Sequence, residues 1–408
     1  MSSSPQSRLR NSLKPILLLP LLLSGCSNPR FPSYPADYRE FAYVSNGAAG
    51  TVTVLDLVYL RQDRVLQVGR QPTGMAVNPV RNEVYAVNSG SDSVSVIAAD
   101  TNTVTHTIGV HRTPYFIAVA PDGKRAYVPN SGSNTVSVLD LDKRREIAIE
   151  ATGEGPGVAA VAPDNRTLVV SNRIAGSVSV YSIEPSDKRP LQLREAYAGC
   201  GGATDIVTTP NDPAHPDSGG KAFIACSTAN KVMVLWLGAA PDSWTGSQDA
   251  SLQHDHLLCL LDVGKTPTHL TLASHDAARV FSTNFDSDSI SEINSWTNEV
   301  VGTTVIGAKP SRADISKDDS SLWVTNFGAD SAGLYSIDDA RVTTSVRTGS
   351  HPDAIALSRD EHLLLVADSG SADVAAIRTQ SKDGPSLVTL LPTAGPANDI
   401  VIKSFYTK

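Results

Sequence analysis

Cysteine is scarce in this chain, with four among 408 residues. None sits in a C-x-x-C-H arrangement, which excludes a covalently attached c-type haem. The Ser-Gly-Ser runs at 89–91, 131–133 and 369–371 lack the lysine and following helix of a phosphate loop. No Gly-x-Ser-x-Gly nucleophile elbow occurs. The apolar run at 16–23, interrupted by Pro20, is too short to span a bilayer as a helix. Basic residues are outnumbered. After the leader, with Arg8, Arg10 and Lys14, is set aside, 31 Lys and Arg face 42 Asp and Glu, a formal charge of −11. No basic patch offsets this, so nucleic acid is not an expected partner.

What the chain does have is one four-residue theme, repeated eight times. It reads Tyr43-Val44-Ser45-Asn46, Tyr85-Ala86-Val87-Asn88, Tyr127-Val128-Pro129-Asn130 and Val169-Val170-Ser171-Asn172. It continues as Phe223-Ile224-Ala225-Cys226, Phe281-Ser282-Thr283-Asn284, Trp323-Val324-Thr325-Asn326 and Leu365-Val366-Ala367-Asp368. The step is 42 residues, stretched twice to 54 and 58. Short strands repeating at this period predict a β-propeller. Within one unit, an apolar strand at 116–120 meets the turn Pro121-Asp122-Gly123, where proline fixes one dihedral and glycine accepts a positive φ. Strands at 125–129 and 135–140 follow, the latter alternating Val136 and Val138 with Thr135 and Ser137, and a fourth lies near 146–150.

The fold class is therefore all-β: a single propeller of four-stranded blades. Eight blades are expected, with seven as the alternative if residues 200–264 form no regular blade. The chain starts on a second strand and ends on a first strand, so pairing of the two termini should close the ring and remove an open edge. The aromatics at 43, 85, 127, 223, 281 and 323 are expected to fill wedges between blades. The Asn at 46, 88, 130, 172, 284 and 326 precedes a Ser- or Gly-rich turn and is expected to bond locally to its own backbone.

The leader has a basic start, an apolar run, and then Leu23-Ser24-Gly25-Cys26. This resembles a bacterial lipoprotein signal, which implies lipidation of Cys26. An ordinary secretory signal is the alternative. The expected organisation is a signal at 1–25, a lipidated cysteine and proline-containing tether at 26–38, and the propeller at 39–408. Ser27, in place of Asp, implies an outer-membrane destination facing the periplasm or cell surface. The membrane is then a partner through the lipid. An extracytoplasmic location permits one disulfide. Cys200 with Cys226 is the preferred pair, and three buried thiols are the alternative.

The repeated motifs, with Pro-Asp-Gly and Thr-Val-Ser-Val-Leu-Asp around them, resemble the YVTN family of β-propellers over nearly all of residues 41–403. The resemblance implies an exported or surface-attached protein. Related propellers include lactonases. The motif itself is structural and transfers no catalytic residue.

Two candidate sites remain. The openings of the inner strands carry Tyr115, Asp205, His269, Arg312, Asp353, Asn398 and Asp399. Of these, Asp205, His269, Arg312 and Asp353 are the catalytic candidates. Carboxylates, an imidazole and a guanidinium meeting on the axis suit hydrolysis, or a divalent metal, although no cofactor is fixed by spacing. The second site is the long insertion at 238–256, with Trp244, His254 and His256 as ligand-binding candidates. His254 and His256, with Asp255 or Cys259, are also a zinc candidate. The function expected first is a noncatalytic one: an envelope-anchored, monomeric binding or scaffold module for a protein, glycan or small ligand. A lactonase-like hydrolase using the axial channel is the alternative.

Overall fold

The computed structural model describes residues 32–210, 220–238, 254–273, 275 and 277–407. Contacts divide the chain into Met1–Ser33 and Tyr34–Lys408. Cys26 and Trp244 lie outside the described residues. No helix among the described residues is long and apolar enough to cross a membrane.

Among the described residues, thirty-two strands form eight antiparallel four-stranded sheets. Blade 1 is built from β1 (Tyr38–Asn46), β2 (Thr51–Asp56), β3 (Arg61–Gln67) and the C-terminal β32 (Ala397–Tyr406), in the order β3-β2-β1-β32. Blades 2 to 8 each use four consecutive strands. Their inner strands are β4 (Pro72–Val77), β8 (Ala118–Val119), β12 (Pro156–Val161), β16 (Ala203–Thr208), β20 (Pro267–Leu272), β24 (Pro310–Ile315) and β28 (Pro352–Leu357). Each inner strand packs on the next, and β32 lies between β28 and β4, so the ring is closed. The region 200–264 makes a regular blade 5, which settles the count at eight. In blade 3 the inner strand is short; an isolated bridge from Pro114 to Asn130 begins the pairing two residues ahead of Phe116.

The closing pair runs from Tyr38 opposite Tyr406 to Asn46 opposite Ala397. It extends beyond Lys403 because Phe405 is buried against Phe41, and Tyr38 meets Tyr406 edge-on. Blades pack through mixed clusters at each wedge. Tyr43 of blade 1 joins Met75, Val84 and Ala86 of blade 2, and Tyr85 of blade 2 belongs to the cluster of Ile117, Ala126 and Val128 of blade 3. Burial of a large aromatic stabilises each seam by about 1.5–3 kcal/mol.

The motif Asn acts differently from the turn role expected of it. Asn46, Asn88, Asn130, Asn172 and Asn284 are fully buried. Each amide donates to hydroxyls five and seven residues on: Asn88 to Ser93 and Ser95, Asn130 to Thr135 and Ser137, Asn172 to Ser177 and Ser179. The amide thus ties the second strand to the third from inside, where an unpaired group would be costly. The positive φ sits further along the turn, at Asp92, Asn134, Asn230, Asp288 and Asp330.

Three blades depart from this pattern; in blade 7 Asn326 keeps Ser331 but meets Gly333 in place of the second hydroxyl. In blade 5, Lys231 and Met233 occupy the hydroxyl positions, and Cys226 replaces the Asn. Its Sγ is bonded to Cys200, and both cysteines are fully buried. In blade 8, Asp368 faces Asp373 and Ala375. Burial, with the Asp373 carboxylate beside it, pushes the Asp368 carboxyl up to about 8. The native state therefore holds a proton that the unfolded chain releases near pH 4. Stability falls as pH rises from about 4 to about 8, then levels. Asp368→Asn restores the amide and lets it donate to Asp373. We expect a gain on the order of 1–3 kcal/mol at pH 8 and little at pH 5. Urea midpoints at the two pH values measure it; an equal gain at both would refute the carboxyl pair as the cause.

Candidate functional site

The third residue of each inner strand, counted from its opening proline or alanine, occupies one equivalent position around the ring. Blades 2, 3 and 4 place Gly74, Phe116 and Val158 there. Blades 5, 6, 7 and 1 place Asp205, His269, Arg312 and Asp399, with Ala354 in blade 8 preceded by Asp353. One side of the axis is therefore apolar and the other titratable. Arg312 senses Asp399, Asp205, Asp353 and Tyr115, which come from blades 1, 5, 8 and 3. Blade 3 stands opposite blade 7, so the charges of these groups act on Arg312 across the axis.

The structure brings together Asp205, His269, Arg312 and Asp353, but they have different duties. Asp205 accepts from the amide of Ile206 at 2.9 Å and from Leu270 of blade 6 at 2.9 Å. Asp399 accepts likewise from Ile400 at 3.0 Å and Met75 of blade 2 at 2.8 Å. Asp314, whose neighbour Arg312 takes the axial position in blade 7, does the same with Ile315 and Leu357 of blade 8. These carboxylates clasp adjacent inner strands, with both oxygens occupied. Asn398 is a clasp too, donating to the Pro72 carbonyl at 2.9 Å.

His269 accepts at Nδ1 from the Ala313 amide at 3.4 Å. That contact leaves the proton on Nε2, which points towards Asp205 Oδ2 at 3.6 Å. Desolvation, with Arg312 adding to it and Asp205 opposing, lowers its pKa to about 4. The ring is thus neutral at pH 7 and presents an N–H donor. It keeps 19% of its side-chain surface exposed and so remains reachable.

Burial works against the charge of Arg312, yet Asp399, Asp205 and Asp353 outweigh it and raise its pKa. No carboxylate among the described residues comes within 4.0 Å of its guanidinium, and no described residue hydrogen-bonds it. A guanidinium carries five donors in a planar fork that suits a carboxylate, a phosphate or an oxyanion. Burial raises the Asp353 carboxyl, with Arg312 pulling the other way. Its raised pKa makes it a stronger base than a solvated Asp.

The insertion of blade 5 is pinned at its stem. Asp255 accepts from Gly238 N at 2.9 Å and pairs with Arg194 at 2.9 Å. His256 Nδ1 contacts the His254 carbonyl at 3.1 Å, and its ring packs near Trp236. Cys259 is a half-buried free thiol. Among the described residues no three His, Cys, Asp or Glu side chains converge as a metal cage; Asp255 is committed to Arg194. A separate cavity of about 530 Å³ opens between blades 3 and 4, lined by Lys124, Arg125, Tyr127, Asp164 and Arg166. It contains none of the axial residues.

The family model for lactonases, described as a 7-bladed β-propeller, matches residues 75–202. That stretch runs through blades 2 to 4. This chain has eight blades, one more than that description. No curated protein matches. Among solved structures, the dihydro-heme d1 dehydrogenase NirN aligns with a TM-score of 0.69 at 14% identity, over 93% of this chain and 77% of that one. A putative 6-phosphogluconolactonase from Bacteroides fragilis aligns at 0.60 and 12%, over 91% and 100%. AztD from Citrobacter koseri aligns at 0.62 and 13%, over 91% and 99%. At these identities the structures share the fold. The lactonase match over residues 75–202 overturns one expectation, that the chain is more likely not an enzyme.

Proposed function

We propose that the protein is a lactonase-like hydrolase of small anionic lactones or esters, working in the axial channel. The observation that carries this is Arg312, deep on the axis, without a hydrogen-bonding partner among the described residues, beside a neutral imidazole and a raised carboxyl. Asp353 is the base. It takes a proton from water, and the hydroxide so formed attacks the carbonyl carbon. The tetrahedral oxyanion lies against Arg312 and the His269 N–H. Collapse breaks the bond to the ring oxygen, which recovers the proton and leaves as an alcohol. Asp205 and Asp399 hold the inner strands, and so position His269 and Arg312, rather than transferring protons.

The resemblance to the YVTN propellers, and the lipoprotein-like leader ending at Cys26, support an envelope-anchored form of this enzyme, on the outer membrane. The matching lactonase stretch supports the reaction class.

The test is a panel of lactones and aryl esters with wild type and Asp353→Asn. The variant should lose ~10²–10⁴-fold in kcat with little change in KM. Wild-type kcat should fall on the acid side as Asp353 takes up a proton, above the usual carboxylate range, and the variant should lose that limb. Equal turnover by the two proteins would remove Asp353 from the mechanism.

A further inference from the structure

The residue following each motif Asn occupies a second equivalent position, at the rim where the inner strands begin. In the eight blades it is Gly47, Ser89, Ser131, Arg173, Ser227, Phe285, Phe327 and Ser369. A Cβ at Gly47 would meet the Asn398 amide and the Pro72 carbonyl, so side chains here are directed at the openings of the inner strands. Five blades use glycine or serine. Blades 6 and 7 use phenylalanine, and these two rings do not stand alone. Phe285 and Phe327 have centroids 5.8 Å apart, and Phe327 stacks on His351 of blade 8 at 4.6 Å. Lys309 Nζ lies 5.5 Å from the Phe285 centroid. Both phenylalanines are half-buried, and His351 and Lys309 are exposed.

This ladder covers the rim of blades 6, 7 and 8, the blades that supply His269, Arg312 and Asp353. The connection is direct along the chain. Lys309 precedes Arg312 by three residues and His351 precedes Asp353 by two, about 7–10 Å at strand rise. A core interpretation fails for these rings, because the same position in five other blades needs no side chain larger than serine.

We propose that Phe285, Phe327 and His351 form an outer subsite for a planar, aromatic part of the substrate, whose carboxylate reaches Arg312. The substrate class is thus an aromatic lactone or ester bearing a carboxylate. Stacking supplies the affinity at the rim, with Lys309 favouring the anion. This rests on the axial channel being the reaction site, but its test measures binding rather than turnover.

The probes are 2-naphthoate, gluconate and acetate, titrated calorimetrically into wild type, Phe327→Ser, Phe285→Ser and Arg312→Ala. The serine variants carry the residue that blades 2, 3, 5 and 8 use there, so folding is preserved. Wild type should bind naphthoate at least about tenfold more tightly than acetate, the equivalent of one stacked ring. Phe327→Ser should erase most of that preference and leave acetate unchanged. Arg312→Ala should weaken both. An unchanged preference in both serine variants overturns the subsite, as does tighter binding of gluconate than of naphthoate. Absence of lactone turnover, with these binding results intact, would instead count against the hydrolase and leave the subsite standing.

Discussion

Replacing Arg312 by alanine should reduce kcat/KM for any substrate of the channel by ~10²–10³-fold, the usual loss when one donor to a developing oxyanion is removed. Thermal stability should fall as well, because Asp399, Asp205 and Asp353 lose the positive charge they surround, so the rate is compared at a temperature where the variant is folded. Removing the positive charge should also let the His269 pKa rise from about 4, since Arg312 is one of the groups that lower it. Proton NMR of the imidazole follows that change independently of activity. Arg312→Lys keeps the charge and loses the planar fork, so it should restore the His269 titration but not the rate. Full activity in Arg312→Ala would move the site away from the axis.

The second large effect concerns stability. The bond between Cys200 and Cys226 spans 26 residues. A crosslink of that length stabilises by about 3 kcal/mol through the unfolded chain. The Cys200→Ala/Cys226→Ala variant should lose that amount, read as a lower urea midpoint. Cys226→Asn with Cys200→Ala should not recover it, although asparagine is the residue of five sister blades with two hydroxyls at the +5 and +7 positions. Blade 5 offers Lys231 and Met233 there, so the new amide would be buried without its partners. Adding Met233→Ser should regain part of the loss. Recovery by asparagine alone would show that the hydroxyls are not what the amide needs.

Much of this architecture was legible in the chain because a repeat aligns its own equivalents. Eight motifs gave eight blades, and the offset between first and last strand gave the β1–β32 closure. The same alignment brought Asp205, His269, Arg312 and Asp353 onto one axis. What spacing did not reveal was the division of labour among them. Asp205 and Asp399 are occupied by backbone amides of neighbouring blades, and those amides belong to residues 65 and 324 positions away. The role of the motif Asn was missed although its signal was present. Hydroxyls at 93 and 95, 135 and 137, 177 and 179 follow each Asn at constant distance, and their loss in blade 5 coincides with Cys226. The aromatic pair at 285 and 327 was visible in the same way, as a departure from serine, but its stacking partner His351 lies on another blade.

Blade 1 has a kinetic consequence. Its innermost strand comprises residues 397–406, made after the strands of the seven other blades, while its other three strands are made before them. Seven blades are local in sequence and can form as they emerge; the eighth waits for β32. Until then, β1 exposes the edge that β32 later covers, and the apolar side chains of Phe41 and Tyr43 lack part of their packing. Any truncation, stalled synthesis or nick just before residue 397 leaves an open ring rather than a shorter one. Quality control of this protein thus reduces to a single late event, the arrival of ten residues.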